Sequence, residues 1–350
     1  MAEASDIDWT TSFDHFNPEY GADPYTIWRD LQASGVIARG EDWRGVWVPT
    51  RHADVCAVAN DPETFSNRGA VLAKFASMAD FGLTIPPISS DPPQHTEIRR
   101  LLLPYFAPRR VEALRHDVEQ LADELIDGFI DDGHCDGAID YARYIPVRVI
   151  ARMLGIPLAD EPTFFRWVHE IVETAPLDLP AATVALMDFF GYFRVQLEQR
   201  RAAPGGDDLI SYLATSELEG RPLEDHEILS TCLLLLIAGI DTTWSSIGAS
   251  LWHLAHHPDD RASLRADPDL WLTGVEELLR AYAPVTMARE VTVDTEALGC
   301  PMHAGDPLLL PFPAANRDPE VFPDADEVHL DRQANRHVAF GVGIHRCLGS

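Results

Sequence analysis

Lysine is nearly missing from this chain. Lys74 is the only one in 350 residues, and 27 basic side chains face 56 acidic ones for a formal net charge of −29. A surface that acidic repels phosphate, which argues against nucleic acid and anionic membrane as partners. Long apolar runs are lacking too. The longest, Cys232–Ile240, covers nine residues, short of a bilayer span. The N-terminus has no basic stretch ahead of an apolar core, so no signal peptide is expected. Cysteines are few: Cys56, Cys135, Cys232, Cys300 and Cys347, never in a C-x-x-C pair. An odd, scattered set speaks against a disulfide framework or a zinc ribbon and fits reduced thiols in the cytoplasm. No repeat, low-complexity tract or Gly/Ser linker divides the sequence.

What is present is a globular chain. Apolar residues make up 46%, enough at this length for a substantial core. Pro24 opens a helix expected over 25–34, and a short strand is expected near Val46–Val48. Val111, Leu114, Val118, Leu121 and Leu125 form one helical stripe over 111–129. Similar patterns fill 140–155, 160–174, 181–201, 225–256 and 269–282, whereas strand-like alternation is confined to Glu290–Val293 and Pro307–Leu310. The expected class is mostly α with a small β part, in one domain over residues 1–350. The last third is proline-rich and irregular, a pattern that marks functional loops.

The densest chemistry is at the C-terminus, Phe340-Gly-Val-Gly-Ile-His-Arg-Cys347-Leu-Gly-Ser350. Gly341 and Gly343 permit backbone conformations closed to other residues and a close approach to a flat ligand. A free thiol is mostly neutral at pH 7, but coordination to a metal removes its proton. The loop alone is equally consistent with a plain loop cysteine beside two turn glycines. Other motifs decide the matter. Phe340, Gly343, Cys347 and Gly349, with Gly341, match F-x-x-G-x-x-x-C-x-G. Glu277 and Arg280 form E-x-x-R, and Ala238-Gly239-Ile-Asp241-Thr242 has the form A-G-x-D-T. Asn316-Arg-Asp with Asp331-Arg332 precedes the cysteine loop, and Asp91-Pro-Pro-Gln-His95 leads to Arg99. Taken in their order along the chain, these five motifs resemble the cytochrome P-450 superfamily of bacterial haem-thiolate monooxygenases.

The resemblance implies a triangular, single-domain fold around haem b, with Cys347 as axial ligand. A thiolate ligand pushes electron density onto haem iron and favours O–O cleavage. His345 is the rival donor, but by resemblance it lies at the haem edge. Thr242 and Asp241 sit mid-helix, where a threonine commonly bonds a carbonyl one turn back. Gly239 permits a distortion there, and an acid with a hydroxyl at such a break can deliver protons to dioxygen. The resemblance gives Thr242 and Asp241 that role, with Thr243 as the alternative hydroxyl. Glu277 and Arg280, an ordinary surface pair at spacing three, would instead be buried and joined by Arg332, with Arg317 as runner-up.

Haem propionates need cations. His95 and Arg99, at i and i+4, face one way and suit one propionate; Arg289 and His345 suit the other. Phe340, Gly341, Gly343, Gly349, Ala238 and Gly239 complete the expected haem contacts. An apolar loop over 69–90, carrying Leu83, Ile85 and Ile88, would roof the substrate pocket. Val285, Thr286, Met287 and Leu235 would line its sides. Between Gln94 and His116 five arginines (99, 100, 109, 110 and 115) outnumber Glu97 and Glu112, a local +3. On so acidic a chain, Arg109 and Arg110 suit a small acidic ferredoxin.

The expected reaction is monooxygenation of a small hydrophobic substrate by O2, with NAD(P)H electrons delivered through ferredoxin reductase and ferredoxin. Nucleic acid and membrane are not expected as partners. Two rivals remain open: peroxide-driven peroxygenase chemistry, which the Asp241–Thr242 pair disfavours, and a haem carrier or inactive remnant. The second arises because the sequence stops three residues after Cys347, where the family continues into a further helix and a hairpin. A C-terminally incomplete form with weakened haem binding is therefore expected.

Overall fold

The computed structural model describes residues 7–41, 45–69, 72–73, 76–77, 84–174 and 178–350. Leu83, with Val71, Phe75 and Phe81 of the expected pocket roof, lies outside these residues. Helices dominate, with small sheets, as the periodicity predicts. The described residues group into two compact units: one from 1–83 and 253–348 with Ser350, the other from 84–252 with Gly349.

The first unit is organised by a five-stranded sheet in the order Ala38–Arg39, Trp47–Val48, Pro307–Pro311, Thr286–Val291, Phe65–Ser66. Pro307–Pro311 runs parallel to Trp47–Val48 and antiparallel to Thr286–Val291, pairing Leu308 with Arg289 and Leu309 with Ala288. All five residues of this strand are buried, because both faces are covered and successive side chains point opposite ways. Leu308 and Leu310 join a core with Val55, Val58, Phe65, Val291 and Phe312. Leu309 joins a second core with Phe13, Ile27, Leu31 and Val48. Helix Pro24–Ser34, begun by proline and the Asp23 side chain accepting from the Thr26 amide, supplies Ile27 and Leu31.

The second unit is helical. Helices Glu161–Val168 and Leu179–Ala202 enclose an aromatic core of Phe164, Trp167, Phe189 and Phe193. The Phe189 and Phe193 rings stack at 4.4 Å, and Trp167 meets Phe189 edge-on at 5.2 Å. The stripe over 111–129 is split into helices Pro108–Glu112 and Arg115–Asp127. Leu121 is buried but Val111 is exposed. The short first helix is held apart by Arg110, which lies 4.4 Å over the Tyr105 ring and pairs with Asp207.

The pattern over 225–256 is one helical run with a π-helical turn, Ile237–Asp241, in its middle. Here the sequence reading needs correction. Asp225–His256 is long and apolar enough to cross a bilayer by length and composition. Counting uninterrupted apolar residues misses this because Ser230, Thr231 and Asp241 break the run. Its first half, from Glu227 to Leu233 and again at Leu236, is buried inside the unit, the arrangement of a core helix.

Candidate functional site

The cysteine loop rests on the sheet core. Val342 packs against the cluster containing Phe312 and Val338. Gly341 and Gly343 have φ of 70° and 76°, a left-handed conformation that costs other residues roughly 1–2 kcal/mol. A Cβ on Gly343 would stand 2.5 Å from the Ala59 carbonyl oxygen, and one on Gly341 would touch the Phe312 ring at 3.4 Å. The Cys347 amide donates to the Phe340 carbonyl at 2.8 Å. This closes the loop and leaves the Cys347 side chain exposed at its end. His345 is half-buried within it, and Gly349 is exposed.

A buried ionic cluster braces the same unit. Glu277 and Arg280 are fully buried, with Arg280 Nε and Nη2 each 2.8 Å from a Glu277 carboxylate oxygen. Arg332 Nε lies 3.0 Å from both oxygens, the His329 amide donates at 2.9 Å and Asn335 Nδ2 at 3.2 Å. Burial pushes the Glu277 carboxyl up, but the Arg280 bonds, the His329 amide and Arg332 outweigh it and hold the group below its ordinary value. Arg332 thus takes the third place. Arg317 is elsewhere, bonded to the Ala281 carbonyl and stacked on Tyr25 at 3.9 Å.

The link from brace to loop is a residue that sequence reasoning treated only as part of a motif. Asn316 is fully buried; its carbonyl accepts from Arg280 Nη1 at 2.9 Å, and its Oδ1 accepts from the Val338 amide at 2.7 Å. His337 adds a second link, its Nε2 2.7 Å from Glu276 Oε2. Both precede Phe340 in the chain. A buried asparagine that takes a guanidinium on its carbonyl and a backbone amide on its side chain leaves no periodic signal, so only the Asn-Arg-Asp motif hinted at it.

In the helical unit, the π-turn falls where Gly239 suggested a distortion. A Cβ there would stand 2.7 Å from Ile150 Cδ1, so the turn packs directly on helix Tyr144–Met153. Thr242 Oγ1 donates to the Ala238 carbonyl at 2.8 Å, the one-turn bond anticipated from sequence. Asp241 is half-buried and Ala238 exposed beside it. Thr243 is exposed, and Leu235 and Trp244 are half-buried.

His95 is buried and Arg99 half-buried on helix Gln94–Leu102. Ile85 is buried and Ile88 half-buried ahead of it. In the sheet unit Arg289 is 3% exposed, its Nη1 donating to the Ala288 carbonyl. Val285 and Met287 pack partly against the sheet core, and Thr286 is exposed. The expected positive patch keeps most of its charge, with one more acid, Asp207, paired to it than the local count includes. Arg100 pairs with Glu97, Arg115 with Glu112, and Arg110 with Asp207, at 3.1, 2.7 and 3.0 Å. Asp207 comes from nearly a hundred residues away, so a local count of charges cannot include it. Arg109 remains as an exposed cation.

Each unit by itself offers groups that suit an iron porphyrin: the sheet unit an exposed thiol on a glycine loop and the buried Arg289 guanidinium, the helical unit the buried His95 imidazole.

The family model described as Cytochrome P450 matches residues 43–350. The chain is 36% identical over 346 residues to the vitamin D(3) 25-hydroxylase of Pseudonocardia autotrophica, covering 97% of this chain and 85% of that protein. It is 33% identical over 350 residues to the mycinamicin IV hydroxylase/epoxidase of Micromonospora griseorubida, covering 96% and 85%. Among solved structures, the crystal structure of CYP101J2 superposes with a TM-score of 0.87 at 30% identity, covering 99% of this chain and 87% of that one. The chain belongs to the cytochrome P-450 family and is, at that level, a haem b monooxygenase of bacterial type.

Proposed function

We propose that Cys347 is the thiolate ligand of the haem and that the chain oxygenates a small hydrophobic substrate. Electrons come from NAD(P)H through ferredoxin reductase and ferredoxin, in the cytoplasm. The observation that carries this reading is the Cys347 loop, closed by its own amide on Phe340, with glycines backed against a helix and a core ring. When bound, haem b supplies the dioxygen activation that places one oxygen atom in a C–H or C=C bond and releases the other as water.

The protein's residues hold, exclude and move protons around that chemistry. Arg289 and His345 on one unit, and His95 and Arg99 on the other, supply cationic donors for propionates. The Glu277–Arg280–Arg332 brace fixes the loop through Asn316 and does no redox chemistry. Thr242 spends its own hydroxyl proton on the Ala238 carbonyl, so toward the reaction side its oxygen is an acceptor that holds a water or a protonated oxygen in place. Asp241, one residue earlier at the π-turn, supplies the protons. Apolar side chains for the substrate come from Ile85, Ile88 and Leu235 in the helical unit and from Val285 and Met287, beside Thr286, in the sheet unit.

The test is the carbon monoxide difference spectrum of the reduced protein. A thiolate-type band that disappears in Cys347→Ser supports the reading. A histidine-type spectrum, or a band that survives the substitution, overturns it. Turnover with ferredoxin and reductase compared with hydrogen peroxide then separates monooxygenase from peroxygenase.

A further inference from the structure

We propose that His253, His257 and Asp260 form a divalent transition-metal site of the zinc type, separate from the haem. One ligand atom from each lies within 4.8 Å of the others. They come from the last turn of helix Thr242–His256, the residue after it, and the first turn of helix Pro258–Ala266. The His257 amide donates to the His253 carbonyl at 2.8 Å, which pins the two backbones one turn apart.

His253 is the anchor. It is 1% exposed, with Nδ1 2.8 Å from Tyr282 Oη and Nε2 2.8 Å from Asp260 Oδ2. A buried imidazole oriented through its far nitrogen by a neighbouring oxygen is how metal-ligating histidines are usually held. An ionised carboxylate only accepts, so the Nε2 proton points at Asp260 and Nδ1 accepts from the Tyr282 hydroxyl. A metal ion takes the position of that Nε2 proton. The neutral ring keeps one hydrogen by moving it to Nδ1, and Tyr282 becomes the acceptor.

Distances suit the exchange. Tetrahedral zinc bonds of about 2.0–2.1 Å place two donors roughly 3.3 Å apart, so the His253–Asp260 pair opens by roughly half an ångström. The His257 ring now lies parallel to His253 at 4.0 Å and 10°. Being exposed, it tilts out of the stack to direct a nitrogen inward, and water fills the fourth position. Two nitrogens and one oxygen form a donor set that zinc accepts. A cation at a helix C-terminus, on a chain of net charge −29, is also favoured electrostatically.

The experiment uses the full, tag-free, haem-loaded chain, stripped with a chelator and titrated with Zn2+ in competition with a chromophoric zinc indicator. The expected result is one zinc per chain, weakened at least tenfold by His257→Ala and by Asp260→Asn, and unchanged by His256→Ala. His253 is too buried for a clean variant, so the two accessible ligands carry the test, with circular dichroism confirming that each variant is folded. Wild-type binding no tighter than that of the His257→Ala/Asp260→Asn double variant, or equal weakening by His256→Ala, overturns the proposal.

Discussion

Arg280 grips Glu277 through two parallel bonds of 2.8 Å, and neither side chain has any exposed surface. The same guanidinium satisfies carbonyls of Asn316, Ala325 and Glu327. Removing one partner leaves a buried charge uncompensated, so Glu277→Gln should cost about 3–5 kcal/mol. Urea unfolding measures this. A loss under 1 kcal/mol would mean that the cluster is not a structural brace.

Acid should weaken the fold in two stages. Burial pushes the His15 ring from 6.5 to about 4, opposed weakly by Asp14. The unfolded chain therefore takes up this proton first. His15's contribution is complete above 6.5 and is lost as pH falls from there toward 4. The Glu277 carboxyl sits below 4.5 despite the upward push of burial, because Arg280, the His329 amide and Arg332 hold it ionised. Its contribution is complete above 4.5 and is lost at lower pH. His15→Gln should flatten the first stage in melts between pH 7 and 4.5 and leave the second in place.

Gly343→Ala should do more harm than Gly341→Ala. Both need a positive φ, but at Gly343 the new methyl meets a rigid carbonyl at 2.5 Å, and at Gly341 a ring at ordinary contact distance. Haem content and the thiolate band should fall sharply in the first variant and modestly in the second. Equal loss in both would show that backbone strain alone governs the loop.

The π-turn offers a double-mutant test. Gly239→Ala brings a methyl to 2.7 Å from Ile150 Cδ1, the tip of a flexible side chain. Ile150→Val removes that tip at a cost of about 0.5–1.5 kcal/mol. Together the two substitutions should be less destabilising than the sum of their separate effects. Additive stabilities by chemical denaturation would place the clash elsewhere.

Reversing Arg109 should slow reduction by ferredoxin and flatten its salt dependence, because its charge is exposed. Arg110 is already committed to Asp207 and the Tyr105 ring. Arg110→Glu should therefore cost stability as well as rate. Stopped-flow reduction at several ionic strengths distinguishes them, and an unaltered rate in Arg109→Glu removes this surface from consideration.

What could be read before the fold was seen is what repeats or recurs locally. The helical patterns over 140–155, 181–201 and 269–282 correspond to helices because one buried face imposes a period on the chain. Glu277, Arg280 and Arg332 were legible because a family motif names their spacing. Asn316 was not legible as a link, since its two partners lie far away in sequence. The positive patch was overstated for the same reason: Asp207 reaches Arg110 across the chain. The stripe from Val111 to Leu125 was correct in its period and wrong in its continuity, because Arg110 is held by groups that the stripe does not contain.

Strand Pro307–Pro311 separates two packed interiors, and its alternating leucines answer to different ones. Trimming Leu309 loosens the interior shared with Phe13 and helix Pro24–Ser34. Trimming Leu308 or Leu310 loosens the one that carries Phe312, the ring lying behind Gly341. Neighbouring substitutions on a single strand should thus differ in kind. One erodes general robustness, and the other makes the protein shed its pigment from a position well removed from the thiol.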